Sequence, residues 1–354
     1  MDDFNHQEDN QIIEENVVIK QWFPFSRMGL FYFCIAVGVN VVAVIAAMAL
    51  ALPMAIKAIV NSGGLTDIVG ISQSVSEVIT NNMPIIMAIG YALTVPVCML
   101  MLKSIPVDKS MPKKKWKASK LLLCLMISIG AMMFGNLLSQ SVQMFLKLVT
   151  GHQMTNPVND ILNDKNIVGS IILVVIIAPV VEEFLFRKVL IDRVRVYGDK
   201  ITILLSGILF GLFHGNIFQV IYATLLGMIL AYIYLKTSRI EYCIGIHMMV
   251  NIIGGAVPLL LLRGIDLDAV ASMQMDELMN VAPRLVGIVG IMMVELACMI
   301  ASIVVIAQLR TKLSLSSGVI EIERGQRFKT ICLNVGMILF FVLSMIIFGA
   351  SATA

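Results

Sequence analysis

The chain has 354 residues, of which 58% are hydrophobic and 14% charged, with a net charge of +3 and a mean hydropathy of +0.91. A water-soluble domain is about one quarter charged, so this composition excludes a globule that covers its own surface with polar groups. Long apolar runs place the chain in a bilayer, whose ~30 Å of hydrocarbon takes about 20 residues per helix, and nothing in it points to a nucleic-acid partner.

The first 27 residues are polar and acidic (Asp2, Asp3, Glu8, Asp9, Glu14, Glu15) and lack the pattern of a cleaved signal. A short solvated cytoplasmic tail is expected there. Apolar runs follow at 28–56, 82–102, 121–146, 167–190, 201–217, 218–235, 242–262, 285–308 and 330–350. A lipid-exposed backbone must satisfy its own hydrogen bonds, so each run is expected to be a helix. The alternation of a membrane barrel is absent. The fold class is therefore an all-α, polytopic transmembrane bundle of nine helices, or eight if one segment lies flat or re-enters. The six cysteines (Cys34, Cys98, Cys124, Cys243, Cys298, Cys332) are scattered with no CxxC pair, as expected of free thiols that pack as small hydrophobes.

The loops sort by charge. Lys103 to Lys120 (with Lys113, Lys114, Lys115 and Lys117), Arg187 to Lys200, Lys236 with Arg239, and Arg310 to Lys329 are basic. The alternate loops carry Asp67 and Glu77, then Asp160 and Asp164, then Asp266, Asp268, Asp276 and Glu277. Cations gather on the cytoplasmic side, so a multi-pass cell-membrane protein with a cytoplasmic N-terminus is expected.

Ionisable groups inside hydrocarbon are costly and mark function. Away from segment ends they are Glu182, Glu183 and Arg187 in the fourth run, His214 in the fifth, His247 in the seventh and Glu295 in the eighth. Ile167 to Val181 is 15 residues, too few for a full span, and Phe184, Leu185 and Phe186 resume the apolar character. Taken alone the pair could mark the cytoplasmic interface, with Arg187 and Lys188 snorkelling, but this pattern argues for carboxylates some way inside. Glu183 and Arg187 are four residues apart and can pair on one helix face, whereas Glu182 points about 100° away, free to act as a general base. His214 taken singly is as well explained as interhelical glue, and so are His247 and Asn251, which share a helix face. Their joint occurrence on three helices within 70 residues favours a site.

Three motifs appear in order: EExxxR at Glu182-Glu183-Phe184-Leu185-Phe186-Arg187, FxxxH at Phe210 to His214, and HxxxN at His247 to Asn251. Together with Leu226 to Thr237 they resemble the CPBP family, which includes type II CAAX prenyl endopeptidases and bacterial relatives linked to bacteriocin maturation or self-immunity. The resemblance covers Asn166 to Ile253; one departure is Lys188, where relatives often have glycine. It implies an intramembrane endopeptidase acting on membrane-associated, prenylated or leader peptides or on membrane proteins. On the matching positions Glu182 would be the catalytic glutamate and His214 its partner, with His247 and Asn251 completing the site. Glu183 and Arg187 would hold the first motif and Phe210 would pack behind His214.

A glutamate-activated water with His247 and Asn251 at the oxyanion needs no cofactor. Glu182, His214 and His247 as zinc ligands are the alternative, although no HExxH is present. Glu295 lies outside the pattern and receives no role. The expected organisation is a tail (1–27), N-terminal membrane helices (28–165), a catalytic core (166–262) and C-terminal membrane helices (263–354). Two other functions compete. One is a non-catalytic immunity or binding module of the same fold. The other is an ion-coupled transporter, which the absence of an inverted repeat disfavours.

One geometric difficulty stands in the sequence. Glu182 lies about 12 Å from the cytoplasmic end of its segment, whereas His214 lies about 21 Å beyond Lys200 at 1.5 Å per residue. For these to meet, the fifth helix must start below the surface or tilt strongly.

Overall fold

A computed structural model of the chain describes residues 2–61, 68–108, 110, 113–151, 166–265, 270, 272, 275–311 and 313–353. Of the acidic-loop residues named above, Asp67, Asp160, Asp164, Asp266 and Asp268 lie outside this set.

The described residues are almost entirely helical. The helices are α1 (Asp2–Asn61), α2 (Ile68–Met99), α3 (Ala118–Thr150), α4 (Ile167–Tyr197), α5 (Asp199–Phe213), α6 (Ile217–Thr237), α7 (Ile240–Leu262), α8 (Met275–Leu309), α9 (Arg324–Cys332) and α10 (Val335–Thr353). Among the described residues the only bridge of strand type is the isolated pair Gly198–Ser317. Helix α1 begins at Asp2, so the backbone of the expected tail is continuous with the first membrane helix. All nine predicted segments are helical. Among the described residues, seven helices are long and apolar enough to cross a membrane, and eight if α9 and α10, bent by 64° at residues 333–334, form one span.

The fifth segment differs from a span. Helix α5 has 15 residues, about 22 Å of rise, which falls short of a bilayer core. It runs inward to His214, turns at Gly215-Asn216, and α6 returns. The Lys236 ammonium at the far end of α6 lies 2.7 Å from Asp199 at the start of α5, so the pair is a hairpin. Its turn is fixed by Asn216, whose side-chain oxygen accepts from the Gln219 N–H while its amide donates to the His214 carbonyl. The two helices approach closely where Gly207 faces Gly227; a Cβ on Gly227 would stand 3.0 Å from the Gly207 Cα, so glycine there is a packing requirement.

Two apolar clusters flank this hairpin. One joins α1, α4, α5 and α10 through Phe25, Phe31, Tyr32, Phe186, Phe210 and Phe340. The other joins α3, α6 and α7 through Met132, Leu226, Leu230, Ile233, Tyr234 and Ile246. The opposite faces of the outer helices carry exposed Val44, Ile45, Met48, Leu148, Val149, Val286 and Met293. Apolar surface on this scale belongs against lipid.

The four basic loops meet at one end of the bundle. The Asp108 N–H donates to the Asp192 carbonyl, Lys114 N–H to Thr237, Asp199 N–H to Ser316 and Ile320 N–H to Val196. Arg195 lies 3.5 Å from the Asp108 carboxylate. The charge alternation read along the chain thus corresponds to one physical face.

Candidate active site

Helix α4 is an α-helix interrupted twice by wider π turns, at Leu173–Ile177 and Phe184–Val189. Such bulges divert backbone N–H groups and often mark functional positions. At the first, the Ala178 N–H donates to the Leu173 carbonyl instead of Val174. The next N–H in register would come from Pro179, which has none. The stranded Val174 carbonyl accepts from the Asn251 side-chain amide at 2.9 Å. Asn251 itself immediately precedes a third π segment, Ile252–Ala256 on α7.

The second bulge follows Glu182-Glu183 directly. Here the Leu190 N–H reaches back to the Leu185 carbonyl, so Phe186 loses its ordinary i+4 donor. The Ser206 hydroxyl on α5 supplies one at 3.2 Å, and the Tyr32 hydroxyl on α1 donates to the Leu185 carbonyl at 2.9 Å. Foreign side chains therefore clamp both wide turns of α4.

Arg187, fully buried, is held from three sides. Its Nε donates to Glu183 Oε2 at 2.8 Å and Nη2 to Oε1 at 3.4 Å. Nη1 donates to the Ser206 hydroxyl at 2.5 Å, and the guanidinium lies 5.2 Å from the Phe210 ring centroid. The sequence-predicted pair of Glu183 and Arg187 is formed in the described structure. An ion pair removed from water in this way requires such further hydrogen bonds to offset desolvation.

Glu183 has a second partner that the spacing alone did not show. Its Oε1 accepts from His247 Nδ1 at 3.0 Å. A carboxylate only accepts, so this nitrogen carries the proton. The other nitrogen of the ring, Nε2, lies 3.8 Å from Glu182 Oε2. His247 thus stands between both glutamates, with its side chain 4% exposed against 13% for Glu182 and 0% for Glu183.

His214, at the end of α5, donates from Nδ1 to the Phe210 carbonyl at 2.8 Å. In the neutral ring this leaves Nε2 as an acceptor. Phe210 packs edge-on against His214 and His247, with centroid distances of 5.0 and 5.6 Å. The FxxxH aromatic therefore serves as a shared wall for both imidazoles. The shared Phe210 ring brings the inner end of α5 beside His247, so the separation counted along the chain does not keep the two histidines apart. Among the described residues no hydrogen bond or ion pair joins His214 to Glu182. Glu295, buried on α8, makes no such contact with this cluster either.

Residues 164–253 match the model of a family described as Rce1-like, type II CAAX prenyl endopeptidase Rce1-like. Over this stretch the chain is similar to that family. No curated protein and no solved structure is significantly similar to the chain. The Rce1-like domain covers about a quarter of the sequence, contains all three motifs, and ends at Ile253, where the resemblance read from the motifs also ends. The likeness supports a CAAX-type intramembrane protease at family level. The π bulges, the α5–α6 hairpin and the Glu183–His247 contact all fall within it, except the last three residues of the third bulge.

The zinc alternative requires three donors gathered around one point. Among the described residues no three His, Cys, Asp or Glu side chains are grouped so as to hold a metal ion. His247 Nδ1 is held by Glu183 and His214 Nδ1 by Phe210, which leaves each Nε2 free of such a bond. Among the described residues, Glu182, His214 and His247 as placed are not grouped as a ligand set.

Ser206 and Tyr32 were missed in the sequence. Ser206 had a usable signal, because Ser206, Phe210 and His214 recur at four-residue spacing and share one face of α5. Tyr32 had none, being 153 residues from the carbonyl it binds.

Proposed function

We propose that the chain is an intramembrane endopeptidase whose catalytic unit spans residues 166–262 and whose general base is Glu182. The observation that carries this reading is His247 set between Glu183 at 3.0 Å and Glu182 at 3.8 Å. Glu183 orients the imidazole of His247 much as a carboxylate orients the histidine of a hydrolytic triad. Glu182, with no such fixed partner, takes a proton from the attacking water. The neutral Nε2 of His214 accepts the other hydrogen of that water and aims its lone pair at the scissile carbonyl.

As the hydroxide adds, negative charge develops on the carbonyl oxygen. His247, with both ring nitrogens bearing hydrogen, donates a hydrogen bond from Nε2 to that oxygen and keeps its proton throughout the step. Asn251, with one amide hydrogen on Val174, offers the second. Glu182 then returns its proton to the departing amine nitrogen, and the peptide bond breaks. The substrates are membrane-associated, prenylated or leader peptides, or other membrane proteins.

The test is turnover of a membrane-embedded peptide library by purified protein before and after exhaustive chelation. Activity retained within about two-fold is the expected result. Activity lost to the chelator and restored by zinc alone would falsify the metal-free mechanism.

The face bearing the basic loops is assigned to the cytoplasm, with the N-terminus on that side. A reporter joined after Lys117 should read cytoplasmic and one joined at Gly151, across α3, external. The reverse pattern removes the assignment.

A further inference from the structure

We propose that a cleft on the basic face binds the phosphate of an anionic phospholipid headgroup. The segment between α8 and α9 folds back over the start of α5, where the Asp199 N–H donates to Ser316 and Ile320 N–H to Val196. Gly198, with φ of +98°, permits this crossing; at the facing Gly318 a Cβ would stand 2.4 Å from the Tyr197 carbonyl carbon. Between strap and helix lies a cleft of about 240 Å³ lined in part by Lys200, Arg324, Arg327 and Glu321.

Three cations against one carboxylate leave the cleft positive. Asp199 does not offset them, because its carboxylate is already taken by Lys236 at 2.7 Å and by the Ser316 N–H at 2.9 Å. Among the described residues neither Lys200 nor Arg324 has an ion-pair partner. Arg327 is steadied by its bond from Nε to the Ile322 carbonyl at 3.1 Å, which leaves the fork of its guanidinium to an oxyanion.

The apolar rim selects a lipid over a free ion. Val319 is 92% exposed and Phe328 66%, with Leu313, Leu315 and Ile320 also exposed beside the basic residues. Helix α9 is bent 64° away from α10, so it runs across the membrane helix and not along it. Basic side chains with outward apolar ones on an off-axis helix are the composition of a membrane-surface element. A headgroup phosphate in the cleft places its acyl chains toward this rim.

The test uses full-length protein in a zwitterionic detergent, with its thermal midpoint followed by tryptophan fluorescence. Dioctanoyl phosphatidylglycerol, dioctanoyl phosphatidylcholine and inorganic phosphate are titrated separately. The expected result is a raised midpoint, with phosphatidylglycerol half-saturating at a concentration at least ten-fold below phosphatidylcholine. Lys200→Gln with Arg324→Gln should raise that concentration at least ten-fold. Both side chains are exposed, so the unliganded midpoint should hold; Arg324→Gln alone serves if the pair lowers it. Lys113→Gln with Lys115→Gln, on another basic loop, should change nothing. Equal response to both lipids, an equal loss in the Lys113/Lys115 variant, or a full shift with inorganic phosphate alone each overturns the assignment.

Discussion

Glu182→Gln is expected to lower turnover per folded molecule by at least about 100- to 10,000-fold, the range for loss of a general base, with little change in thermal midpoint. Glutamine keeps the shape of the side chain but cannot take a proton from water. Among the described residues Glu182 has no ion pair shorter than the 3.8 Å approach of His247, so little stability is lost with its charge. The measurement is product formed per mole of monodisperse protein, beside the unfolding midpoint in the same detergent. Wild-type specific activity in this variant would remove Glu182 from the chemistry, whereas no turnover by the wild-type protein itself would favour the non-catalytic reading of the fold.

The second large effect is on stability. Glu183→Gln leaves Arg187 fully buried with no countercharge within hydrogen-bonding reach, and breaking a buried pair from one side costs about 3–5 kcal/mol. Ser206→Ala removes one neutral partner from Arg187 and the donor to the Phe186 carbonyl. That loss should be smaller, about 1–3 kcal/mol for groups left unsatisfied. Replacing Glu183 and Arg187 together by glutamine should recover part of the stability, since no lone charge remains.

Turnover should not recover with it. Glu183 also holds His247 Nδ1 at 3.0 Å, so the double variant is expected to be folded and slow. Unfolding midpoints of the four proteins, each paired with activity per folded molecule, separate these roles. A double variant as active as wild type would show that Glu183 only neutralises Arg187.

The membrane class, the helical segments and the polar groups of the site were legible in the sequence for one physical reason. Hydrocarbon tolerates few unpaired polar groups, so the runs that cross it stand out, and so do the exceptions within them. The pair of Glu183 and Arg187 was legible because four residues is one helical turn, a local relation that needs no partner helix. Three ordered motifs also located the Rce1-like domain to within two residues of its start.

What the one-dimensional pattern could not contain was decided by contacts between distant segments. Helix spacing assumes 3.6 residues per turn, and α4 departs from that twice, beside the residues that matter. Those wide turns strand the carbonyls of Val174 and Phe186, and their donors, Asn251 and Ser206, come from other helices. Depth was equally hidden. Counting from Lys200 put His214 too far from Glu182, because a count along one helix carries no information on how that helix tilts against its neighbours. In the fold, packing of α5 against α7 brings both histidines to one phenylalanine ring. The sequence by itself determined which residues are present in the membrane and on which helices; only the tertiary structure decided that Glu183 faces His247, because hydrogen-bond partners across helices are set by packing, not by spacing.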